Sequence, residues 1–387
     1  MLDVRKDFPL FRNHPELCYL DSAATTQKPD SVIHAVTQFV THSNANVRRG
    51  VHQLSEEADE VYVMARKKDA QLIHAKPNEI VFTPNATAGI NMVAHGFLKR
   101  INHLKKIYVS NAEHNSNYLP WIKFSPIRIF DHLLQQGMTI IEADARLIAM
   151  THLSNVIGEI TPVRRMSNFA RLCHIPLLVD AAQSVGHLGV DVQELGADFL
   201  VFSAHKMLAF TGLGVLFVRE CHHENFTPPY IGGGTVRTVE CGDYTLADMP
   251  DRLEAGTPPI IEAVSLGAAI DYLNRIGMDQ VTDHIGQVSR YCYKKLRDIG
   301  VTPIGGPSKH GLVSFNLDSM HPHDVAFGLD ELNIAVRAGH HCAHLCHSSL
   351  KLKGSVRASF HVYNTLADVD RLIDGLEHVR RTFRRSP

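Results

Sequence analysis

The fold is decided by the stretch DFLVFSAHKMLAFTGLGVLFVR, Asp198 to Arg219, in which two apolar runs flank a short polar turn. Both runs are apolar along their whole length, which is typical of strands that are buried on both faces of a sheet. The turn between them contains Ser203, His205 and Lys206. An exposed loop lysine is the ordinary interpretation of Lys206. A lysine between two buried strands is nevertheless also well placed to form a Schiff base with an aldehyde.

Runs of the same kind occur upstream and are separated by helix-length segments. They are EIVFT, KIYVS, IRIF, LIAMTH and PLLVD. This alternation predicts an α/β domain over residues 16–262, with a mostly parallel sheet between helices. The pattern changes after AGTPP, Ala255 to Pro259, to two long helical stretches, two apolar strands (LVSFNL and SVRASF) and a final helix from about Asn364 to Arg381. Residues 1–15 and 263–387 are therefore predicted to form a smaller α+β domain.

Composition limits the classes of partner. The 387 residues exceed the size at which a single core usually stops growing, in keeping with two domains. Lys and Arg total 39 and Asp and Glu total 40, a net charge of -1, so no global field attracts nucleic acid or an anionic membrane. The 7 scattered cysteines do not resemble a disulfide framework, and no secretory signal or run of about 18 apolar residues occurs. We therefore expect a soluble cytoplasmic protein that binds neither nucleic acid nor membranes.

Two further segments supply groups for a phosphate-bearing aldehyde cofactor. PLLVDAAQSVGH places Asp180 at the end of a strand and Gln183 just beyond it, where ligands bind in open α/β sheets. A carboxylate there can keep a pyridine nitrogen protonated, although Asp180 could equally cap a helix. VFTPNATAGIN places Thr87 at a helix start, where N–H groups attract phosphate, although N-capping is its ordinary role. Together with the serine, histidine and lysine of the polar turn, these residues suit pyridoxal 5′-phosphate.

The candidate nucleophile is Cys342, within RAGHHCAHLC, Arg337 to Cys346. A thiol reacts as its thiolate, and His340 and His341 are candidate sources of the positive charge that would lower its pKa. The competing interpretation is a structural zinc site, because HHCAHLCH is dense in ligand side chains. Zinc sites usually use separated pairs of ligands, and this run has no second pair at a typical spacing.

Many separate motifs follow one another along the chain. They are YLDSAATTQKP (Tyr19 to Pro29), RRGVH (Arg48 to His52), AEHNSN (Ala112 to Asn117), THLSN (Thr151 to Asn155), VDAAQSVGH (Val179 to His187), SAHKM (Ser203 to Met207), RLEAGTP (Arg252 to Pro258), RAGHHCA (Arg337 to Ala343), and VRASF with YNT (Val356 to Thr365). In this order they resemble the cysteine desulfurase family of fold-type I pyridoxal phosphate enzymes, in particular its SufS-like second group, which includes selenocysteine lyases. The resemblance covers nearly the whole chain and implies a mostly parallel seven-stranded sheet in the large domain.

The resemblance also implies a role for each matching residue. Lys206 would be the Schiff-base lysine and Cys342 the sulfur acceptor, with His114 as the third catalytic residue. Arg357 would bind the substrate carboxylate, a bidentate task that suits a guanidinium. The cofactor would be held by His114 stacked on the ring, Asp180 at the ring nitrogen, Asn155 and Gln183 at the ring oxygen, and Thr87, Ser203 and His205 at the phosphate. Asn155 would also lie beside the substrate. Thr257 would reach the phosphate of the other subunit, which implies a homodimer.

The implied reaction converts L-cysteine to L-alanine and leaves a persulfide on Cys342. The sulfur would then pass to a SufE-like or SufU-like acceptor for iron–sulfur cluster assembly. His323, in HPHD (His321 to Asp324), could take over a zinc ligand of a SufU-like partner, and the equal alternative is that HPHD only caps the following helix. The alternative activity is cleavage of selenocysteine or of cysteine sulfinate by the same fold.

The chain departs from the family pattern at two places that bear on the site. The segment between His114 and Asn155 is short, which suggests a trimmed helix or hairpin near Lys123 to Ala145. HLCHSSLKLKG follows the Cys342 motif in place of the usual Pro-containing continuation. Cys346, in this run, could therefore act as a second thiol that resolves the persulfide.

Overall fold

A computed structural model of the chain describes residues 1–48, 50–98, 105–134, 141–142, 145–307, 309–317 and 320–384. The strands are β1 (Cys18–Tyr19), β2 (Ile80–Thr83), β3 (Ile107–Ser110), β4 (Ile127–Phe130), β5 (Leu147–Thr151), β6 (Leu177–Asp180), β7 (Phe199–Ser203), β8 (Gly214–Val218), β9 (Val236–Glu240), β10 (Asp243–Leu246), β11 (Leu312–Phe315), β12 (Ile334–Ala335), β13 (Arg337–Gly339) and β14 (Ser355–Ser359). The α-helices are α1 (Pro9–Asn13), α2 (Asp30–Gln38), α3 (Gln53–Leu72), α4 (Ala86–Met92), α5 (Val163–Leu172), α6 (Val192–Leu195), α7 (Ile260–Ile276), α8 (Met278–Asp298), α9 (Pro322–Asp330), α10 (His344–Ser349) and α11 (Leu366–Arg384).

A seven-stranded sheet forms the centre of the molecule, with the strand order β2-β8-β7-β6-β5-β3-β4. Neighbouring strands are parallel except at β8, which is antiparallel to both β7 and β2. The register pairs Thr151 with Asp180 and Asp180 with Val201, so the carboxyl ends of β5, β6 and β7 lie side by side. The prediction of a mostly parallel α/β sheet is confirmed, and each of the seven apolar runs forms one of its strands.

The apolar runs are explained by the two cores on either side of this sheet. In β5, Ile148 belongs to the apolar cluster on one face, and its neighbour Leu147 belongs to the cluster on the other face. Helices cover both faces of a parallel sheet, so its inner strands need apolar side chains throughout. The edge strand β4 differs, because Arg128 and Ile129 are exposed. The interpretation of IRIF as a fully buried strand is therefore wrong, since an edge strand has a neighbour on one side only.

The helices divide between the two faces. Side chains of α2, α3, α5 and α7 belong to the first cluster, and side chains of α4 belong to the second. A buried carboxylate, Glu254, ties α3 to β2 by accepting hydrogen bonds from Arg66 Nη1 and from the Phe82 N–H, both at 2.7 Å. These two hydrogen bonds fix β2, the strand that leads into the N-terminal turn of α4.

A second sheet, antiparallel with the order β11-β14-β13, follows the two long helices α7 and α8. Helices α8, α9 and α11 share an apolar cluster with it, so the predicted α+β unit is confirmed. Helix α7 packs against α2 and α3, and Phe8 belongs to the cluster of the large sheet. The division of the chain into 16–262 and the remaining residues stays a prediction. Within the described residues, no helix combines the length and the apolar character needed to span a membrane.

Candidate active site

A cavity of about 310 Å³ lies at the carboxyl ends of β5, β6 and β7. Open α/β sheets bind ligands at this edge, because the loops that leave neighbouring parallel strands converge there. The predicted residues that line the cavity are Thr87, His114, Asn155, Asp180, Gln183, Ser203, His205, Lys206, Cys342 and Arg357. Side chains from distant parts of the sequence therefore meet in one place.

Lys206 ends a 3₁₀ turn directly after β7. The turn is held through the carbonyl oxygen of His205, which accepts hydrogen bonds from Thr26 Oγ1 at 2.9 Å and from Lys28 Nζ at 3.4 Å. Burial lowers the pKa of Lys206 to about 8, although Asp180 opposes this effect. A lysine with this pKa is partly uncharged near neutral pH, as required of an amine that attacks an aldehyde or removes a proton.

Asp180 and Gln183 lie at the end of β6 and in the turn that follows it. Asp180 Oδ1 accepts a hydrogen bond from the Ala182 N–H at 2.9 Å. Burial raises the pKa of Asp180, while that hydrogen bond and Lys206 act in the opposite direction. Gln183 Nε2 donates to the Ala23 carbonyl at 2.9 Å, but its Oε1 is buried without a hydrogen-bond partner among the described residues. An unpaired buried polar atom in a cavity indicates a polar ligand group.

Glu113 supports this site and was missed by the sequence reasoning. Its carboxylate is fully buried and accepts hydrogen bonds from Asn117 Nδ2 and the Thr151 N–H, both at 2.6 Å, and from Ser110 Oγ. Burial raises the pKa of Glu113 to about 8 in spite of these donors. The carboxylate joins β3 to β5 and fixes the turn that contains His114. The only signal in the sequence is its place beside His114 in AEHNSN.

The ring of His114 is held in one tautomer. Its Nδ1 accepts a hydrogen bond from the Ser116 N–H at 3.1 Å, so the hydrogen of the neutral ring is on Nε2. Burial lowers the pKa of His114 to about 4, and the positive charges of Lys206 and Arg357 contribute. The ring is therefore neutral at physiological pH, which suits stacking against an aromatic ligand.

The turn before α4 forms another wall of the cavity. Asn85 is the N-cap of α4, so the alternative interpretation of Thr87 as the capping residue is wrong. Thr87 Oγ1 lies 2.7 Å from Ser116 Oγ, and Ser203 Oγ accepts a hydrogen bond from the Ala86 N–H at 3.0 Å. Hydroxyl and N–H groups are therefore gathered where the resemblance implies a phosphate.

Cys342 is exposed and lines the cavity from the loop between β13 and α10. His341 and Cys342 have φ angles of 50° and 52°, a left-handed conformation that costs free energy in residues with side chains. Hydrogen bonds to two backbone carbonyls help to hold this loop. Asn155 Nδ2 donates to the His341 carbonyl at 2.8 Å, and the Asn115 N–H donates to the Cys342 carbonyl at 2.6 Å. The thiol is thereby kept at the cavity.

His341 does not supply positive charge to the thiol. Burial, followed by the charge of Arg357, lowers the pKa of His341 to about 2, so its ring is neutral. The prediction that His341 contributes positive charge is therefore wrong. Lys206, Arg337 and Arg357 line the same cavity and provide positive charge there instead.

Arg357 is buried in β14 and reaches the cavity from the second sheet. Its Nη1 donates to the Asn155 carbonyl at 3.0 Å, and its Nη2 donates to Asp21 Oδ1 at 3.3 Å. Burial lowers the pKa of Arg357 to about 10, so the guanidinium stays charged at neutral pH and can bind a carboxylate. Asp21 was missed by the sequence reasoning, although it lies within the motif YLDSAATTQKP.

Three residues that were considered for function lie outside the cavity. Thr257 is exposed and lines a neighbouring cavity of about 1050 Å³, to which Thr87 also contributes. His321 caps α9 by accepting a hydrogen bond from the His323 N–H at 3.3 Å, so HPHD does cap the helix, and the His323 side chain is exposed. Cys346 is buried, and burial raises its pKa to about 12, so the idea of a resolving thiol is wrong.

The structure gives no support to zinc ligands in HHCAHLCH. In the part of the chain that is described, the one group of three such side chains with converging ligand atoms is Asp198, Cys221 and His222, whose ligand atoms lie within 4.8 Å of one another. This group lines a different cavity from Cys342, and Asp198 Oδ1 already lies 2.9 Å from His222 Nε2. The segment near Lys123 to Ala145, for which a trimmed helix or hairpin was predicted, includes residues 135–140 and 143–144, which lie outside the described residues.

The cavity as a whole fits a phosphate-bearing pyridine aldehyde. It brings together a lysine of lowered pKa, a buried carboxylate, an unpaired amide oxygen and a neutral imidazole. The family model described as Aminotransferase class-V matches residues 18–372. The fold and the site thus define a fold-type I enzyme of the class-V aminotransferase family, for which the cofactor is pyridoxal 5′-phosphate.

Named relatives narrow this class. A probable cysteine desulfurase from Halalkalibacterium halodurans is 40% identical over 398 residues, covering 98% of this chain and 98% of its own length. One from Pyrococcus abyssi is 40% identical over 399 residues, covering 99% and 98%. The apo structure of a cysteine desulfurase from Thermococcus onnurineus has 38% identity and a TM-score of 0.93, with 98% of each chain covered. The cysteine desulfurase CsdA from Escherichia coli has 32% identity and a TM-score of 0.91, with 99% of each chain covered. The chain belongs to the cysteine desulfurase family.

Proposed function

We propose that the protein is a cysteine desulfurase that converts L-cysteine to L-alanine and retains the sulfur as a persulfide on Cys342. The observation that carries this proposal is that Lys206, Arg357 and Cys342 line one cavity. An amine that removes a proton, a cation that binds a carboxylate and a thiol that accepts sulfur are the three groups that this reaction needs. The names of the relatives support the same activity.

The residues around the cofactor prepare the substrate. Pyridoxal phosphate supplies an electron sink for the pair released at the substrate Cα. Asp180 would pair with the ring nitrogen and keep it protonated, His114 would stack on the ring, and Lys206 would remove the α-proton. Thr87, Ser203 and His205 would hold the phosphate, while Asn155 and Gln183 would contact the ring oxygen. Arg357 binds the substrate carboxylate and thereby sets the direction of the side chain.

Cys342 then takes the sulfur. Its thiolate attacks the substrate sulfur, and an S–S bond forms while the Cβ–S bond of the substrate breaks. The electron pair of the broken bond returns to the carbon skeleton, which takes up one proton at Cβ and regains the α-proton from Lys206 to become alanine. Cys342 is on a loop, is exposed and also lines the cavity. This position supports the proposal that the persulfide forms in the cavity and is then transferred to a partner.

The sulfur passes to a SufE-like or SufU-like acceptor for iron–sulfur cluster assembly. The enzyme itself acts as a homodimer in the cytoplasm. His323 is exposed on α9, and α9 packs against β13, the strand that leads to Cys342. A partner whose zinc is bound there would lie close to the persulfide. Thr257 is exposed beside the second cavity, in keeping with contact to the other subunit. All seven cysteines are free, which supports a reducing compartment.

The test uses purified protein loaded with pyridoxal phosphate and supplied with L-cysteine and a reductant. We expect alanine and sulfide in equal amounts. Cys342→Ser should abolish both products while the visible absorption of the lysine–cofactor Schiff base remains. Cys221→Ser, at another exposed cysteine, is the matched control and should keep wild-type activity. Full activity of Cys342→Ser would contradict the assignment, and failure to bind pyridoxal phosphate would contradict the cofactor site.

The partner proposal is tested separately. His323→Ala should lose the stimulation of turnover by a zinc-bearing SufU-like acceptor and keep the basal turnover. His378→Ala, at an exposed position of α11, is the control and should change neither rate. Unchanged stimulation in His323→Ala would remove His323 from the partner's zinc site.

Cleavage of selenocysteine or cysteine sulfinate is the second candidate function. It is favoured by one observation, namely that Cys342 is on a loop, whereas Asp180 and Arg357 are in strands and Lys206 ends the turn directly after a strand. These substrates depend less on a protein nucleophile. Their turnover by Cys342→Ser, with cysteine turnover lost, would establish this second activity.

A further inference from the structure

The hydroxyl of Ser355 lies between two imidazole rings. Ser355 Oγ is 2.9 Å from His341 Nε2 and 3.1 Å from His347 Nε2, and all three residues are buried. Ser355 is the first residue of β14, and His341 directly precedes Cys342. The three residues therefore connect the second sheet to the loop that contains the thiol.

The direction of these two hydrogen bonds follows from the other ring nitrogen of His347. His347 Nδ1 lies 3.1 Å from the Ala343 carbonyl. A carbonyl oxygen only accepts, so His347 Nδ1 must carry a hydrogen. Burial lowers the pKa of His347, and the nearby rings of His340 and His344 contribute, so the ring is neutral and its Nε2 has no hydrogen. Ser355 has one hydroxyl hydrogen, and it is donated to His347.

The remaining bond then has only one possible direction. Because the hydrogen of Ser355 is already used, its oxygen must accept a hydrogen bond from His341 Nε2. The ring of His341 is neutral, since burial lowers its pKa to about 2. Its Nδ1 consequently has no hydrogen, and this atom is buried with no partner among the described residues. His341 itself lines the cavity.

We propose that Ser355 and His347 are positioning residues that hold His341 in the tautomer with hydrogen on Nε2 and so keep the Cys342 loop in its strained form. His341 and Cys342 both have positive φ, a strained conformation that persists only where neighbouring groups hold it. Without Ser355, the ring of His341 loses its only side-chain hydrogen bond in the described structure. The hydrogen bonds from Asn155 and Asn115 to the carbonyls of His341 and Cys342 then remain to hold the loop.

This role goes beyond the family motif, because His347 lies in the run HLCHSSLKLKG that departs from it. It rests on the proposed function only in that Cys342 is taken as the sulfur acceptor. The tautomer of His341 can be measured without any substrate, so the two proposals can fail separately.

The structure provides a matched control for Ser355. Ser314 is also a buried serine of the same sheet, and its Oγ has no hydrogen-bond partner among the described residues. Ser355→Ala and Ser314→Ala therefore make the same chemical change at two buried positions, and only the first removes a hydroxyl that bonds to His341. His347→Phe keeps a ring at position 347 and removes both of its nitrogen atoms. It is a second variant that disrupts the hydrogen bonds between His347, Ser355 and His341.

The experiment uses the cofactor-loaded protein and two readouts. The first is the ¹⁵N spectrum of the histidine side chains, assigned by the signals lost in His341→Phe and His347→Phe. In wild type we expect hydrogen on Nε2 of His341 and on Nδ1 of His347. The second is the single-turnover rate of persulfide formation on Cys342, followed by mass spectrometry after L-cysteine is added.

Ser355→Ala and His347→Phe should change the His341 signals and lower the persulfide rate about fivefold or more, the effect of one lost hydrogen bond of about 1 kcal/mol. Ser314→Ala should change neither. The proposal would be overturned if the wild-type His341 ring had its hydrogen on Nδ1. It would also be overturned if Ser355→Ala and His347→Phe both kept the wild-type signals and rates. A wild type that forms no persulfide at all would instead overturn the proposed function, and the ¹⁵N spectrum would still decide the tautomer.

Discussion

Asn155 links Arg357 to the loop of Cys342. Its backbone carbonyl accepts a hydrogen bond from Arg357 Nη1 at 3.0 Å, and its side-chain Nδ2 donates to the His341 carbonyl at 2.8 Å. Asn155 is buried in the turn that follows β5. One residue on the large sheet therefore places both the candidate carboxylate-binding group and the candidate nucleophile, which arrive from the second sheet.

Asn155→Ala should uncouple these two groups, because it keeps the carbonyl and removes the side-chain donor. We expect kcat/KM for L-cysteine to fall about tenfold, the effect of losing a hydrogen bond of about 1–1.5 kcal/mol. Asn155→Asp, which also lacks a donor at neutral pH, should lose as much. Steady-state kinetics measure the change, and unchanged values in both variants would show that the loop does not depend on this bond.

Lys206 should destabilise the cofactor-free protein at neutral pH. Burial lowers its pKa to about 8, whereas a lysine in an unfolded chain has a pKa of about 10.4. Between these two values the unfolded chain binds a proton that the folded chain does not, so this contribution to stability becomes more favourable as the pH rises. Lys206→Met should therefore have a higher Tm than wild type at pH 7, and the difference should shrink toward pH 10. Lys353→Met, at an exposed position, should show no such trend in calorimetry.

Asp69 should make the stability of the protein fall with rising pH. It is fully buried in α3, neither carboxylate oxygen has a partner among the described residues, and burial raises its pKa to about 8. An unfolded aspartate has a pKa of about 3.9, so the folded chain binds the extra proton and loses stability as the pH rises between these values. Asp69→Asn should have a higher Tm than wild type at pH 8.5 and a similar Tm at pH 5. Asp283→Asn, at an exposed site, should show no pH-dependent difference, and the same result for Asp69→Asn would contradict this account.

Glu254 should contribute more to stability than any surface ion pair of similar geometry. Its two oxygens accept hydrogen bonds from Arg66 at 2.7 and 2.9 Å, and both side chains are almost fully buried. Glu254→Ala leaves Arg66 charged and unpaired, which costs about 3–5 kcal/mol of the free energy of unfolding.

The exposed pair of Arg164 and Glu194, at 3.0 Å, is the control for Glu254. Arg164→Ala should cost less than about 1 kcal/mol, because solvent screens the pair. Chemical denaturation measures both changes, and equal losses at the two sites would contradict the argument from burial.

Much of the architecture could be read from local sequence. The inner strands β5, β6 and β7 were recognisable because both of their faces are covered, so nearly every side chain is apolar. IRIF has the same composition, yet β4 is at the edge of the sheet with Arg128 exposed. Local composition cannot distinguish an edge strand from an inner one, since the difference depends on which strands pair.

The candidate site was predicted where a residue type and its motif were sufficient. Lys206, Asp180 and Cys342 each have an ordinary structural alternative, and they could be named because the motifs around them occur together in the order typical of one family. Asp21 and Glu113 were missed, because each acts through a partner that is distant in sequence or hidden in the core, namely Arg357 and the Thr151 N–H.

The sequence by itself determined the order of the elements, the identity of the reactive groups and the edge of the sheet at which they meet. Only the tertiary structure decided the burial, protonation and hydrogen bonding of these groups. It shows His341 as neutral, Cys346 as buried with a raised pKa, and Ser355 as the hydroxyl between two imidazoles. The physical reason is that protonation and hydrogen-bond direction depend on burial and on neighbours. Both come from chain segments that are far apart in sequence and meet only when the protein folds.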